Sequence, residues 1–201
     1  YPLRRQRQMC IRDSIMTNKA LIVVDYSYDF IADDGRLTCG KPGQDIEQFI
    51  VERLNQYQHQ HDNIFFMMDL HFEEDPYHPE TKLFPPHNIE GTSGRQLYGK
   101  VKSFFDKYKN EDTVHYLDKR RYDSFYGTAL DSLLRERHID TVEIVGVCTD
   151  ICVLHTAISA YNLGYHIIIP EQGVASFNEE GHQFALAHFK NSLGAKVEVI
   201  N

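Results

Sequence analysis

The stretch TVEIVGVCTDICVLHTA, residues 141–157, decides the fold. Its first half, residues 142–147, is a short apolar run rich in β-branched side chains, which is typical of a strand buried on both faces. Its second half places apolar side chains at helical spacing. Between the halves lie Thr149 and Asp150, which both favour helix N-caps. The sequence therefore predicts a helix whose first turn carries Cys152, directly after the carboxyl end of a buried strand.

That position gives Cys152 a chemical use. The first turn of a helix exposes free backbone N–H groups and the positive end of the helix dipole. A cysteine pKa of about 8.5 falls to about 3.5–7.5 beside such a turn or a cation. The same N–H groups can receive the oxyanion of a carbonyl under attack. A small buried core cysteine is the alternative. The location favours a nucleophile, provided that a base and a cation arrive from elsewhere in the chain.

Composition limits the classes of function. The chain has 201 residues, a net charge of -8, 42% hydrophobic residues and 25% charged residues, which suits one globular domain. The negative charge argues against nucleic acid or an anionic membrane as partner. No apolar run approaches the ~20 residues of a membrane span. Four cysteines do not form a disulfide framework at this length, so we expect a cytoplasmic protein. A homo-oligomer is left open.

The first fifteen residues differ from the rest. They contain four arginines and no hydrophobic periodicity, which does not fit a secretory signal. We expect residues 1–15 to be a non-native or disordered leader and residues 16–201 to form a single domain. An arginine-rich transit peptide is the alternative.

Strand and helix patterns alternate along the chain. Apolar runs predict strands at residues 19–24, 63–70, 113–117, 142–147, 165–170 and 195–200. Helical spacing predicts helices at residues 44–61, 95–108, 127–138, 151–161 and 179–191, and a long proline-containing loop covers residues 72–94. This alternation favours an α/β fold, with a parallel sheet covered by helices on both faces.

Ionisable side chains stand where four of these strands end. They are Asp25, Asp69, Lys119 and Cys148. Ligands of open parallel sheets bind beyond the carboxyl ends of the strands. Chance could place one or two such groups there, but four together predict a functional site at this edge of the sheet.

Asp25 and Lys119 are the candidates for the base and the cation that Cys152 needs. A carboxylate beside a thiol accepts its proton when burial raises the pKa of the acid. A buried lysine stabilises both a thiolate and an oxyanion. Asp29 competes with Asp25 but lies farther into the loop. The ordinary alternatives are a carboxylate that caps a loop and a solvated lysine.

A second group of ligand-type side chains follows the strand at residues 63–70. It comprises Asp69, His71, Glu80 and His87. Asp69 and His71 are two residues apart on an extended segment and therefore point to the same face. Oxygen and imidazole ligands suit Zn²⁺, Mn²⁺ or Fe²⁺. Surface histidines are the ordinary alternative, which we assign to His59, His61 and His78.

The motifs that carry these residues resemble the isochorismatase-like cysteine hydrolases, and within that superfamily the nicotinamidases. The matching stretches are ALIVVDYSYDF at 20–30, DLH at 69–71, HPETKLFPPH at 78–87, DKRRYDSFYGT at 118–128, GVCTDICVLHTA at 146–157 and ASFNEEGHQFALAHFKNSLGA at 175–195. They agree in order and spacing, and the resemblance covers the chain from Met16 onward.

The resemblance implies a three-layer α/β/α sandwich with a central, mostly parallel sheet of about six strands. It implies a catalytic triad of base, cation and nucleophile: Asp25, Lys119 and Cys152. It implies one divalent metal ion, zinc first and manganese or iron as alternatives, held by four ligands: Asp69, His71, Glu80 and His87. The aromatic walls of the substrate pocket would be Phe30, Phe84 and Tyr122.

The resemblance also concerns the residues around Cys148. It implies a cis peptide bond at Val147–Cys148 and an oxyanion hole formed by the backbone N–H groups of Cys148 and Cys152. Cys148 departs from the pattern, which has an aliphatic or small residue there, and a second thiol near the nucleophile invites oxidation. The chain also ends soon after its last predicted strand, which leaves open whether a C-terminal tail is missing.

The function that this resemblance implies is deamidation of nicotinamide to nicotinate and ammonia through a cysteine thioester, as a step of NAD salvage. Pyrazinamide is expected as a second substrate. The nearest alternative is another cysteine amidohydrolase of the superfamily, acting on a carbamoyl or ureido substrate. A non-catalytic metal or redox module using Cys148 and Cys152 is the remaining alternative, weakened because their spacing is not C-x-x-C.

Overall fold

The computed structural model describes residues 18–200, so the expected leader at residues 1–15 lies outside the described residues. The strands are Lys19–Val24 (β1), Asn63–Asp69 (β2), Val114–Lys119 (β3), Thr141–Val147 (β4), His166–Pro170 (β5), Val174–Ala175 (β6) and Lys196–Glu198 (β7). The α-helices are Tyr28–Ile31 (α1), Lys41–Asp45 (α2), Glu47–Gln60 (α3), Gly99–Tyr108 (α4), Leu130–Glu136 (α5), Leu154–Asn162 (α6) and Glu179–Asn191 (α7).

The strands form one parallel sheet in the order β3-β2-β1-β4-β5-β7, and β6 pairs with the end of β4. The predicted parallel α/β sheet is confirmed. The described residues give seven strands rather than about six, because Val174–Ala175 makes a two-residue strand that is too short to leave a hydrophobic pattern in the sequence.

Helices cover both faces of this sheet, and the central strand β1 shows why its sequence is apolar throughout. Ala20, Ile22 and Val24 belong to the core beneath α5, α6 and α7. Leu21 and Val23 belong to the opposite core, beneath α3 and α4. Because successive side chains of a strand point to opposite faces, a strand buried on both sides is a continuous apolar run. The three-layer α/β/α sandwich is thereby confirmed.

Some element boundaries differ from the predicted ones. The predicted helix at 44–61 is two helices, α2 and α3, which meet at Ile46. The loop predicted at 72–94 contains the 3₁₀ turn Pro79–Lys82 and the start of another at Ser93–Arg95, and a parallel bridge joins His71 to Ile89. Single turns of this kind have no periodic pattern by which a sequence could reveal them. Among the described helices, none is both long and apolar enough to cross a membrane.

The chain leaves the sheet in opposite directions from the neighbouring strands β1 and β4, which is the topological switch point of the fold. Asp25 follows β1, and Cys148 follows β4. Asp69 and Lys119 end β2 and β3 and are paired in register. The sheet therefore brings all four predicted strand-end residues to one edge.

Candidate active site

Three buried side chains meet at the switch point: Asp25, Lys119 and Cys152. Lys119 Nζ lies 2.7 Å from Asp25 Oδ2 and 3.8 Å from Cys152 Sγ. Asp25 Oδ1 accepts a hydrogen bond of 2.8 Å from the backbone N–H of Asp69, which fixes the carboxylate against β2. The structure thus joins a carboxylate, an ammonium and a thiol that come from three different strand ends.

Burial and neighbouring charges set the protonation of Asp25 and Lys119. Burial raises the pKa of Asp25 to about 6, although the Lys119 ammonium opposes the rise. Asp25 is therefore ionised at neutral pH, yet basic enough to accept a proton. Burial alone would lower the pKa of Lys119, but the nearby carboxylates of Asp25 and Asp69 raise it well above its usual value. Lys119 is a fixed cation.

The Cys152 thiol differs from the sequence expectation of a lowered pKa. Burial raises the pKa of Cys152 well above its usual value, and the Lys119 ammonium only partly offsets that rise. The carboxylates of Asp25 and Asp69 add to it, because they disfavour a further negative charge nearby. Cys152 therefore rests as a thiol, next to a carboxylate of Asp25 that can accept a proton.

Cys152 occupies a π-helical turn, Thr149–Val153, that leads into α6. Cys148 is the residue that caps this turn, and its carbonyl accepts hydrogen bonds from the backbone N–H groups of Ile151 and Val153. The Val147–Cys148 peptide bond is cis, as the resemblance implies. Cys152 therefore lies in a first turn, as predicted, but the turn is a π turn.

The predicted N-caps Thr149 and Asp150 do not cap this turn, so that prediction is wrong. Thr149 Oγ1 is instead hydrogen-bonded to His182 Nδ1 at 2.8 Å. Asp150 Oδ1 accepts a 2.6 Å hydrogen bond from Ser176 Oγ. Thr149 thus ties the turn to α7 and Asp150 ties it to the segment before α7, and the local sequence reveals neither long-range partner.

A second buried group lies beside the triad and consists of Asp69, His71, Glu80 and His87. Asp69 Oδ2 lies 2.5 Å from His71 Nε2 and 3.5 Å from His87 Nε2. Glu80 Oε2 lies 3.6 Å from His87 Nε2 and 3.9 Å from His71 Nε2. A zinc ion with bonds of about 2.0–2.2 Å holds tetrahedral ligand atoms about 3.3–3.6 Å apart. The two distances from His87 Nε2 lie in this range, whereas the distance between Asp69 and His71 is that of a direct hydrogen bond.

Two further features of this group favour a cation. Among the described residues, Asp69 Oδ1 and His87 Nε2 are buried without a hydrogen-bond partner. Burial alone would lower the pKa of His87, but the facing carboxylates of Asp69 and Glu80 raise it to about 10. His87 Nδ1 lies 2.8 Å from the carbonyl oxygen of Pro85, so an N–H there turns the other ring nitrogen toward the carboxylates. The residues present fit a divalent metal ion.

His78 was assigned to the surface from its sequence, and that assignment is wrong. It is only 3% exposed, and its ring centroid lies 4.3 Å from that of His71. Its Nδ1 accepts a hydrogen bond from the backbone N–H of Glu80, and its Nε2 lies 2.8 Å from the carbonyl oxygen of Arg120. The 3₁₀ turn after His78 folds it inward, where it packs against the donor group. His59 and His61 are exposed, as predicted.

A narrow cleft of about 20 Å³ lies beside Cys152 of the triad and beside Glu80 and His87 of the donor group. The three aromatic residues implied by the resemblance line it: Phe30, Phe84 and Tyr122. The cleft is also lined by four residues that the sequence does not identify as lining residues: Leu37, Cys148, Ile151 and Phe177. Burial raises the pKa of Tyr122 to about 12, so its hydroxyl remains a hydrogen-bond donor at neutral pH. The lining of the cleft is mostly aromatic and aliphatic, and it lies between a thiol and a group that could bind a metal.

Comparisons with known proteins agree with this arrangement. The family model described as Isochorismatase domain matches residues 19–199. The isochorismatase family protein PncA of Bacillus subtilis is 54% identical over 179 residues, which are 89% of this chain and 98% of that protein. The solved structure of the nicotinamidase SaPncA from Staphylococcus aureus is 64% identical, with a TM-score of 0.81 over 91% of this chain and 99% of that one.

A more distant solved structure contains a metal. The pyrazinamidase of Pyrococcus horikoshii, solved in complex with zinc, is 26% identical and has a TM-score of 0.79. The match covers 91% of this chain and 99% of that chain.

Proposed function

The chain belongs to the isochorismatase family, and we propose that it is a nicotinamidase, which deamidates nicotinamide to nicotinate and ammonia through a thioester on Cys152. One observation carries the proposal. Cys152, in contact with Lys119 of the triad, lines the same aromatic cleft as Glu80 and His87 of the four-donor group. Nicotinamide is a flat ring with an amide at one side and a metal-binding nitrogen at the other, so it matches both halves of the cleft.

In this mechanism Asp25 is the base. Its ionised carboxylate takes the thiol proton as Cys152 Sγ attacks the amide carbon of the substrate. The positive charge of Lys119, 3.8 Å from the sulfur, stabilises the thiolate that forms during the transfer. The ground-state thiol is thereby converted to a nucleophile only when the substrate is in place.

The tetrahedral intermediate then breaks down. We assign its oxyanion to the backbone N–H groups of Cys148 and Cys152, as donors oriented in advance toward developing charge. The C–N bond breaks as Asp25 returns the proton to the departing ammonia, which leaves a thioester on Cys152. Asp25, ionised again, removes a proton from water, and the attack of this water releases nicotinate and the thiol.

The metal ligands in this proposal are Asp69, His71, Glu80 and His87. When bound, a divalent ion supplies a Lewis-acidic point for the ring nitrogen of the substrate. We propose zinc, with manganese or iron as alternatives, because two imidazoles and two carboxylates suit these ions. Phe30, Phe84 and Tyr122 bind the faces and edge of the ring, and the same cleft would accept pyrazinamide.

We place the reaction in NAD salvage in the cytoplasm. Cys39, Cys148 and Cys152 are free thiols, which is the usual state of cysteines in a reducing compartment. A carbamoyl- or ureido-substrate hydrolase would use the same triad, but it has no use for a cation site facing an aromatic slot.

The test is ammonia release from nicotinamide by the purified protein, before and after chelation, with zinc, manganese and iron added back separately. We expect release that falls on chelation and returns with at least one of these ions. A folded protein that binds the ions but releases ammonia from N-carbamoyl compounds and none from nicotinamide would overturn the proposal in favour of the related amidohydrolase.

A further inference from the structure

Asp29 belongs to neither the triad nor the donor group, yet its side chain is buried on α1 with 4% exposure. Both of its carboxylate oxygens accept hydrogen bonds from backbone N–H groups. Oδ2 accepts from Asn88 at 2.8 Å, and Oδ1 accepts from Arg36 at 3.3 Å. A buried carboxylate is costly unless it is satisfied in this way. Its hydrogen bonds therefore join α1 to a segment 59 residues later in the sequence.

Asn88 is the residue directly after the metal ligand His87, and its backbone is held on two sides. Its N–H is bound by Asp29, while its carbonyl accepts a 3.1 Å hydrogen bond from the backbone N–H of His71. Its φ is 45°, a left-handed conformation that few residues other than glycine adopt. These contacts fix the peptide that follows His87 and tie it to the backbone of a second ligand.

Helix α1, which carries Asp29, also contacts His87 through Phe30. The absence of a side chain at Gly94 leaves room for the Asp29 carboxylate. The Phe30 ring centroid lies 5.3 Å from that of His87. A Cβ atom added at Gly94 would lie 2.2 Å from Asp29 Oδ2, so the carboxylate fits only because residue 94 has no side chain. Asp29 therefore occupies a confined slot from which it cannot move without releasing Asn88.

We propose that Asp29 is a positioning residue for the metal site, which holds His87 in place through the backbone of Asn88 and thereby sets the affinity for a divalent cation. The inference rests on the metal site of the proposed function. Groups that orient metal ligands from outside the coordination shell typically account for about 10–100-fold in metal affinity. Asp29 acts on His87 only through the backbone of Asn88, and it takes no part in the chemistry of the Cys152 thiol.

The test compares zinc affinities of the full-length protein and two variants by competition with a chromogenic chelator. Asp29→Asn keeps the shape and one acceptor oxygen, and Asp29→Ala removes both acceptors. The control is Glu47→Gln, because Glu47 Oε1 also accepts a 2.8 Å hydrogen bond from a backbone N–H, that of Lys100, at an exposed site on helices that carry none of the four donors. Thermal unfolding of each protein after chelation reports general loss of stability.

We expect the zinc dissociation constant to rise about tenfold in Asp29→Asn and up to about 100-fold in Asp29→Ala, with no change in Glu47→Gln. The rate at which iodoacetamide alkylates Cys152 after chelation should stay the same in all of them. A folded Asp29→Asn variant that binds zinc as tightly as the parent would overturn the inference. So would an equal loss of zinc affinity in Glu47→Gln, because the effect would then follow stability alone.

This outcome is separable from that of the proposed function. Zinc affinity is measured without substrate, so a parent protein that binds zinc but releases no ammonia from nicotinamide would refute the nicotinamidase activity and leave the role of Asp29 intact.

Discussion

Two groups of buried charges lie along the same sheet, and they differ in whether their hydrogen bonds are complete. On β4, Glu143 is bound by Arg53 and Tyr57 from α3: Arg53 Nε lies 2.6 Å from Oε1, Arg53 Nη2 lies 2.5 Å from Oε2, and the Tyr57 hydroxyl donates to Oε2 at 3.0 Å. At the carboxyl edge, Asp69 Oδ1 and His87 Nε2 have no hydrogen-bond partner among the described residues.

The completeness of hydrogen bonding distinguishes a structural ion pair from a candidate ligand-binding site. A closed network such as Arg53–Glu143 satisfies its own charges and fixes helix α3 on the sheet, whereas breaking it leaves a buried charge unpaired. At the carboxyl edge, Asp69 Oδ1 and His87 Nε2 lack a hydrogen-bond partner among the described residues, and His87 lines a cleft. A ligand in the cleft is therefore expected to supply the missing interactions. Buried charge alone does not mark a functional site, but buried charge that is incompletely paired and faces a cavity does.

The largest effect is expected at the nucleophile. Cys152→Ala removes the proposed nucleophile, so ammonia release should fall by at least about 10⁴-fold. The unfolding temperature should change little in comparison, because alanine leaves only a small cavity. Residual activity of a few per cent in a preparation free of parent protein would contradict the covalent mechanism.

Breaking the Arg53–Glu143 pair should lower the stability of the fold and leave the activity unchanged. Glu143→Gln leaves Arg53 buried without its counter-charge, and the free energy of unfolding should fall by about 3–5 kcal/mol in chemical denaturation. The activity per folded molecule should remain at the parent level. Glu198→Gln is the control, because the exposed Lys196–Glu198 pair contributes at most about 1 kcal/mol. A large loss of activity in folded Glu143→Gln would show that the two groups are not independent.

The metal ligands should affect substrate binding more than the fold. His87→Ala removes one of four donors, so metal content measured by plasma emission should drop and KM for nicotinamide should rise by about 10–100-fold or more. His59→Ala, a change on the exposed face of α3, should alter neither quantity. Full metal content in the His87→Ala variant would refute the assignment of this ligand.

The smallest effect concerns the hydroxyl in the closed group. Tyr57→Phe removes one hydrogen bond to Glu143 while Arg53 remains, so the free energy of unfolding should fall by about 1–2 kcal/mol. The kcat and KM for nicotinamide should not change. Tyr28→Phe is the matched control, since its hydroxyl donates to Asp34 at an exposed site and its loss should be nearly neutral. Equal losses in the two variants would contradict the distinction between buried and exposed partners.

Much of the fold follows from local sequence because the central strands are buried on both faces. The strands β1 and β2 are almost entirely apolar and β4 is apolar except for its polar first residue and Glu143, and their ends identify Asp25, Asp69 and Cys148 as edge residues. The short β6 and the π turn were not predictable, because neither leaves a periodic pattern. The pKa of Cys152 was misjudged because the degree of burial, which outweighs Lys119, depends on packing from the whole fold.

Long-range partners account for the remaining differences. Arg53 and Glu143 are 90 residues apart, and each alone reads as an ordinary charged residue of a helix or strand. Asp29 was weighed as a rival base, whereas the structure shows it bound to the backbone beside His87. His78 was assigned to the surface because an isolated histidine in a loop gives no sign of the turn that buries it. In each case the partner is fixed by tertiary contacts and not by spacing in the sequence.

The central claim is that the site at the carboxyl edge of the sheet transfers the acyl group of the substrate to Cys152. Trapping this acyl group tests the claim most directly. The metal-loaded protein is allowed to turn over nicotinamide with increasing hydroxylamine, and samples are quenched in acid for peptide mass spectrometry. The account predicts a nicotinoyl group on the peptide that contains Cys152, and nicotinohydroxamate that grows at the expense of nicotinate. Nicotinate as the sole product at every hydroxylamine concentration, with no acyl group on Cys152, would contradict it.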